Sequence, residues 1–116
     1  MVAVIEVARA GDLRNGEMKS VSIGGRDFLV ARAGDKFYAA NNRCPHMGGN
    51  LSHGKLEGTI VTCPNHHSQF DLTDGHVVRW TDFKGIVLAA SKLIRSPRPL
   101  VVYKVTIEGD KVLAEV

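Results

Sequence analysis

The chain has 116 residues, of which 44% are hydrophobic and 23% are charged, and a formal net charge of +3. This length allows a single domain, 1–116, with one core, and the composition is that of a soluble globular protein. Scattered Lys and Arg residues and a 6% aromatic content argue against nucleic-acid binding, and no apolar run approaches the roughly 20 residues that cross a bilayer.

The first forty residues have the pattern of short strands joined by tight turns. The β-branched segment VAVIEVA is followed by MKSVSIGG, RDFLVARAGD and KFYAANN, each of which predicts a strand. Turn residues at Gly24-Gly25 and Gly34-Asp35 predict two hairpins. The start, MVAVIEVARAGD, lacks the basic residues and apolar run of a signal peptide, so we expect a cytoplasmic protein.

The second half of the chain mixes strands with a loop-rich region. Residues 43–70 are rich in Gly, Pro, Asn, Cys and His and contain one predicted strand, GTIVTC. LTDGHVV predicts a hairpin that turns at Asp74-Gly75, and PLVVYKVTIEGDKVLAEV predicts a terminal hairpin that turns around Gly109. These elements together predict an all-β chain.

One segment, DFKGIVLAASKLIRS, departs from the β pattern. Its apolar residues recur at helical spacing, which predicts a short amphipathic helix over 83–94. Such a helix either packs on the sheet, which we favour, or presents its apolar face to a partner.

Two short loops offer the same kinds of metal ligand. Cys44 and His46 lie in the sequence CPH, Cys63 and His66 lie in CPNH, and sixteen residues separate His46 from Cys63. The proline after each cysteine favours an extended backbone at the cysteine and a stiff turn after it. Matched loops of this kind favour a metal site over two buried cysteines and two ordinary histidines.

Two thiolates and two imidazoles suit two kinds of centre. Tetrahedral zinc takes such ligands, but zinc fingers usually draw both cysteines from one loop, whereas each loop here mixes the two types. The mixing favours a cluster of two irons, with both thiolates on one iron and both imidazoles on the other. Two ferric ions, two sulfides and two thiolates sum to zero charge, so the oxidised cluster is buried at modest cost.

The two loops and their flanks resemble a known family. The spacing matches the Rieske motif, C-x-H followed by C-x-x-H, and GGNLSHGKLEGTIVTCPNHHSQFD and PRPLVVYKVTIEGDKV are similar to segments of soluble Rieske ferredoxins. The resemblance implies one [2Fe–2S] cluster per chain. It also implies the Rieske fold, an antiparallel β-sandwich base with an inserted cluster-binding subdomain at about 43–70.

The resemblance also implies a role for each ligand. Cys44 and Cys63 would bind the inner iron, and His46 and His66 would bind the outer iron near the surface. Cytochrome-complex Rieske proteins join the two loops by a disulfide, but Gly49 occupies one of those cysteine positions here, and the other holds an asparagine. The resemblance is therefore to the ferredoxin branch.

Further residues are implied to surround or cover the cluster: Gly48, Gly49, His67, Ser68, Phe70, Pro97 and Pro99. Ser68 would donate a hydrogen bond to a cluster sulfur or serve only as a turn residue. Phe70 lacks the hydroxyl that a tyrosine supplies in high-potential members, so we expect a midpoint in the lower half of a range of about −150 to +300 mV. His67 stands where the family usually has glycine, which predicts strain if the backbone there has positive φ.

By resemblance, the chain is a one-electron carrier that passes electrons from a reductase to a terminal oxygenase, with no catalytic residue. A small redox subunit of a larger enzyme, such as nitrite reductase, is an alternative that the motif does not separate. A structural zinc module that binds another protein is a third interpretation. The remaining histidines, His53 and His76, are expected to lie in surface loops, and the chain is too short to house an oxygenase's mononuclear iron site as well.

Overall fold

The computed structural model describes residues 3–45, 49–64, 67–79 and 98–116. Within these residues the chain forms antiparallel strands and two short 3₁₀ turns, at Ala10–Asp12 and Leu51–His53. The strands are β1 (Val4–Arg9), β2 (Met18–Ile23), β3 (Arg26–Ala33), β4 (Lys36–Asn41), β5 (Lys55–Glu57), β6 (Ile60–Thr62), β7 (Gln69–Asp71), β8 (Val77–Arg79), β9 (Val102–Glu108) and β10 (Lys111–Glu115). The predicted all-β class is confirmed, and the helix predicted over 83–94 lies outside the described residues.

The larger of two sheets has the strand order β1-β10-β9-β4-β3-β2. Its two edges approach each other, because β1 packs against both β2 and β3. The sheet therefore folds over on itself and encloses an apolar core, in agreement with the predicted sandwich base. The buried residues of this core are Val7, Ala8, Leu13, Val30, Ala39, Val112 and Ala114.

The predicted hairpins of this sheet are confirmed, because their turn chemistry is local. Gly24 and Gly25 have φ of 59° and 79° and join paired residues Ile23 and Arg26, which is the two-residue turn with two positive φ angles that suits twisted strands. Gly34, with φ of 65°, and Gly109, with φ of 62°, serve the β3–β4 and β9–β10 turns.

The smaller sheet has the order β5-β6-β7-β8 and follows the first cysteine loop. The sequence predicted β6 from its β-branched residues and a hairpin that turns at Asp74-Gly75, which the β7–β8 pair and the φ of 84° at Gly75 confirm. It did not predict β5, nor that the first arm of this hairpin, β7, lies at Gln69–Asp71. Each of these two strands has three residues, and their extended conformation depends on pairing with β6. Such short ladders leave too little periodicity in the sequence to be recognised.

The small sheet is joined to the large one through the segment that leads into β9. Leu100 is buried and donates its N–H to the carbonyl of Gly75 at 2.8 Å, in the turn between β7 and β8. Val101, one residue later, accepts the N–H of Asn41 at the end of β4 at 3.0 Å. In the part of the chain that the structure describes, no helix is long and apolar enough to span a membrane.

Candidate metal centre

The two cysteine loops are closed by backbone pairing of the same kind. Arg43 pairs with Asn50 across the first loop as an isolated antiparallel bridge, and Thr62 pairs with Gln69 across the second. Each pair encloses six residues, 44–49 and 63–68. The chain thus presents both halves of its predicted ligand set on hairpins of equal length.

The two loops also share the same internal backbone hydrogen bond. The N–H of Cys44 donates to the carbonyl of Gly49 at 2.8 Å, and the N–H of Cys63 donates to the carbonyl of Ser68 at 2.8 Å. In both loops the first residue is therefore bonded to the sixth. This bond fixes each cysteine at the base of its hairpin, where the chain leaves the sheet.

Both cysteines belong to one apolar core. Cys44 is 3% exposed and Cys63 is 2% exposed, and they pack within the same cluster as Leu51, Val61 and Phe70. Thiolates buried among apolar groups are unstable unless a cation neutralises them. Two cysteine sulfurs in one apolar cluster, both shielded from water, fit a buried iron–sulfur centre better than they fit a solvent-exposed ion.

The first loop is supported by Asn42, which the sequence interpretation did not single out. This buried side chain accepts the N–H of Ser52 at 2.9 Å through Oδ1, while its carbonyl accepts the N–H of Leu51 at 2.8 Å. Asn42 therefore joins the segment after the first loop, at Leu51 and Ser52, to the segment that enters the loop. Its signal in the sequence is an asparagine pair one residue before the cysteine motif, at the end of the strand that KFYAANN predicts.

His67 has a left-handed backbone in the second loop. Its φ is 61°, the one positive φ at a non-glycine position among the described residues. Its N–H donates to the carbonyl of Cys63 at 3.2 Å, and its side chain is exposed. The backbone therefore meets the condition under which the sequence predicted strain at this histidine, and the conformation costs about 1 kcal/mol relative to glycine.

The carbonyl of His67 is bound by Arg79, a second residue that the sequence interpretation missed. Arg79 donates from Nε at 3.0 Å and from Nη2 at 2.8 Å to this one oxygen. Arg79 lies in β8, opposite Gln69 of β7. No pattern in the sequence relates positions 67 and 79, because the acceptor is a backbone atom.

Ser68 and Phe70 lie inside the protein beside the second loop. Both side chains are fully buried, and Phe70 belongs to the core that contains the cysteines. A fully buried phenyl ring offers no hydrogen-bond donor, as the sequence comparison with high-potential members implied. Ser68 is placed in the same interior, so its hydroxyl lies away from bulk water.

The remaining predicted site residues divide into two groups. Pro99 is exposed and lines a cavity of about 360 Å³ together with Cys44 and Pro45. That the residues before β9 cover the centre stays a prediction. The other predicted residues lie outside the described residues: His46, Gly48, His66 and Pro97.

The turn after β7 carries a carboxylate with a shifted pKa. Burial acts to raise the pKa of Asp71, but hydrogen bonds from the N–H and hydroxyl of Thr73 and from Thr59 outweigh it and hold the pKa below its usual value. The carboxylate is therefore charged at neutral pH and ties the β7–β8 turn together. His53 and His76 are both exposed, as predicted.

Comparison with known proteins agrees with this geometry. Residues 3–89 match the Rieske [2Fe–2S] domain. The ferredoxin component of biphenyl 2,3-dioxygenase from Rhodococcus jostii (strain RHA1) is 30% identical over 114 residues, which is 98% of this chain and 94% of that protein.

Two solved structures have the same fold. The ferredoxin of carbazole 1,9a-dioxygenase from Nocardioides aromaticivorans IC177 superposes with a TM-score of 0.77 at 24% identity, over 96% of this chain and 95% of that one. A chain in a complex of reduced oxygenase and oxidised ferredoxin of carbazole 1,9a-dioxygenase gives 0.76 at 26% identity, over 97% and 92%. The chain thus belongs to the Rieske [2Fe–2S] domain family.

Proposed function

We propose that this protein is a one-electron carrier of the Rieske ferredoxin type, which passes electrons from a reductase to a terminal oxygenase. The observation that carries the proposal is the pair of equal hairpins that bring Cys44 and Cys63 into one apolar core. Support also comes from similarity over nearly the whole chain to a dioxygenase ferredoxin component. The proposed role is electron transfer, so no residue is assigned a catalytic function.

The ligands follow from the family motif. Cys44 and Cys63 would hold the inner iron, and His46 and His66 would hold the outer iron. When bound, the [2Fe–2S] cluster supplies reversible one-electron chemistry. The protein holds both thiolates on hydrogen-bonded loops and excludes water from the sulfur side through the core around Phe70.

The surface around the cysteine loops carries more positive than negative charge. Two cavities open there, one of about 530 Å³ beside Cys63 and one of about 360 Å³ beside Cys44. Among the described residues that line them, the acidic residue is Glu57 and the lysine and arginine residues are Arg43, Lys55, Arg79 and Arg98. Redox partners with an acidic docking face fit this surface, and association with them should weaken at high salt.

Domain organisation and location are parts of the same proposal. The whole chain, 1–116, would form one Rieske domain with a cluster-binding subdomain at about 43–70. We place the protein in the cytoplasm, where reducing conditions keep Cys44 and Cys63 available as iron ligands. We propose no membrane or nucleic-acid partner.

Spectroscopy of the purified protein tests the cluster. We expect a red-brown protein with two irons and two acid-labile sulfides per chain, and a rhombic electron paramagnetic resonance signal after reduction by one electron per chain. A colourless protein with one zinc per chain would instead support the zinc-module interpretation.

Electron transfer to a partner tests the role. Rapid mixing of the dithionite-reduced protein with an oxidised Rieske-type oxygenase encoded beside it should oxidise the cluster, at a rate that falls as ionic strength rises. A protein that reacts with a larger nitrite-reductase subunit but with no such oxygenase would belong to the alternative class of redox subunits.

A further inference from the structure

One arginine contacts the strained residue of the second cysteine loop. Arg79 places both Nε and Nη2 within 3.0 Å of the carbonyl oxygen of His67. His67 adopts φ of 61°, which disfavours any residue with a side chain. A double, charge-assisted hydrogen bond is among the stronger contacts that a carbonyl can receive.

The contact leads directly to a cysteine ligand. His67 donates its N–H to the carbonyl of Cys63, and Cys63 donates its own N–H to the carbonyl of Ser68. The ladder between β7 and β8 is irregular at Gln69 and Phe70, so regular strand pairing alone does not fix this end of the loop. Arg79 connects the edge strand β8 to the loop at His67, whose left-handed backbone is unfavourable for a residue with a side chain.

The same arginine brings a positive charge to the neighbourhood of the cluster. Its side chain is exposed, and it lines the cavity of about 530 Å³ that Cys63, Pro64 and His67 also line. Reduction adds one electron to the cluster. A nearby fixed cation stabilises the reduced form relative to the oxidised form, which raises the midpoint potential.

We propose that Arg79 is a positioning residue for the [2Fe–2S] centre, which holds the left-handed His67 peptide in place and raises the midpoint potential of the cluster. The inference rests on the proposed electron-carrier function. It assigns to Arg79 two separable effects, one through its two hydrogen bonds and one through its charge.

Two substitutions separate these effects. Arg79→Gln removes the charge and the double hydrogen bond, whereas Arg79→Lys keeps the charge but removes the planar two-donor geometry. We expect Arg79→Gln to lower the equilibrium constant for reduction by about threefold, which is a fall of roughly 28 mV at about 59 mV per tenfold. Arg79→Lys should leave the midpoint close to that of the unmodified protein. Arg14→Gln is the matched control, because Arg14 follows Leu13 of the other core cluster, and it should leave the midpoint unchanged.

The rate at which iron is released to a chelator measures how firmly Arg79 keeps the second cysteine loop in place. Both Arg79 variants should release iron several-fold faster than the unmodified protein. His67→Gly relieves the strain, so adding Arg79→Lys in that background should accelerate release much less than it does alone. This non-additivity is the signature of coupling between the two positions.

Each result has a clear consequence. The Arg79 assignment is wrong if Arg79→Gln and Arg14→Gln have the same midpoint, or if Arg79→Lys accelerates iron release equally with His67 and with glycine at position 67. A purified protein that shows no [2Fe–2S] signal before any substitution would instead overturn the proposed function. Thermal unfolding of every variant, followed by circular dichroism, identifies any variant whose fast iron release reflects global unfolding.

Discussion

Substitution of Gly75 by alanine should open the junction between the two sheets. Gly75 has φ of +84°, and a Cβ there would lie 2.0 Å from the carbonyl oxygen of Leu100 and 3.1 Å from its carbonyl carbon. That contact is with backbone, so rotation of a side chain does not relieve it. The Gly75 carbonyl also accepts the N–H of Leu100 at 2.8 Å, and this bond must lengthen or break if the two segments separate.

Three terms give the size of the effect. The left-handed backbone costs alanine about 1 kcal/mol, the lost hydrogen bond costs about 1 kcal/mol, and displacement of the packed segment costs roughly 2 kcal/mol. The sum is about 4 kcal/mol. Gly109→Ala is the matched control, because Gly109 has a similar φ of +62° with no atom within 4 Å of the added Cβ, and it should cost about 1 kcal/mol.

Thermal unfolding followed by far-ultraviolet circular dichroism compares the two variants. A difference of about 3 kcal/mol corresponds to roughly 12 °C in Tm for a domain of this size. Because Pro99 lines the cavity beside Cys44 and directly precedes Leu100, Gly75→Ala should also speed cluster loss, and Gly109→Ala should not. Equal Tm values for the two variants would show that the contact with Leu100 carries no energy.

The other predictions concern the second loop and the turn after β7. His66→Ala should abolish the [2Fe–2S] signal in electron paramagnetic resonance, while His67→Gly should keep it; loss in the second variant would refute the ligand assignment. Ser68→Ala should lower the midpoint in a redox titration, and an unchanged midpoint would make Ser68 a turn residue alone. The pKa of Asp71 is lowered on folding, so its stabilising effect is present above about pH 4 and is lost as the pH falls through the folded pKa. Urea unfolding at several acidic pH values should therefore show a weaker pH dependence in Asp71→Asn, and an identical dependence would contradict the role given to its bonds from Thr73.

Features that depend on neighbouring residues were predicted correctly from the sequence. The turns at Gly24-Gly25 and Gly34-Asp35 form where turn chemistry placed them, because residues that accept positive φ determine the hairpin locally. The two cysteine loops were recognised because a metal-binding motif needs particular residues at particular spacings. At His67 the family's glycine predicted strain only on the condition of positive φ, and the φ of 61° meets that condition.

Features that depend on distant pairing were not predicted. The strands β5 and β7 gain their conformation from β6, and the contact of Gly75 with Leu100 joins positions 25 residues apart. Arg79 binds a backbone carbonyl, and every residue carries one, so the residue type at position 67 does not predict the contact. Buried Asn42 is similar, because its partners are main-chain atoms of the segment after the loop.

The equal hairpins around the two cysteines separate the scaffold of this protein from its redox chemistry. The bonds that close each six-residue loop run between main-chain atoms, while the histidines occupy the third position of one loop and the fourth of the other. Ligand identity can therefore change without loss of these closing bonds. A chain with cysteine in place of both His46 and His66 would keep them while its cluster moved toward the potential of all-cysteine plant-type centres, about −400 mV. The same backbone could in this way serve electron carriers whose reduction potentials differ by several hundred millivolts.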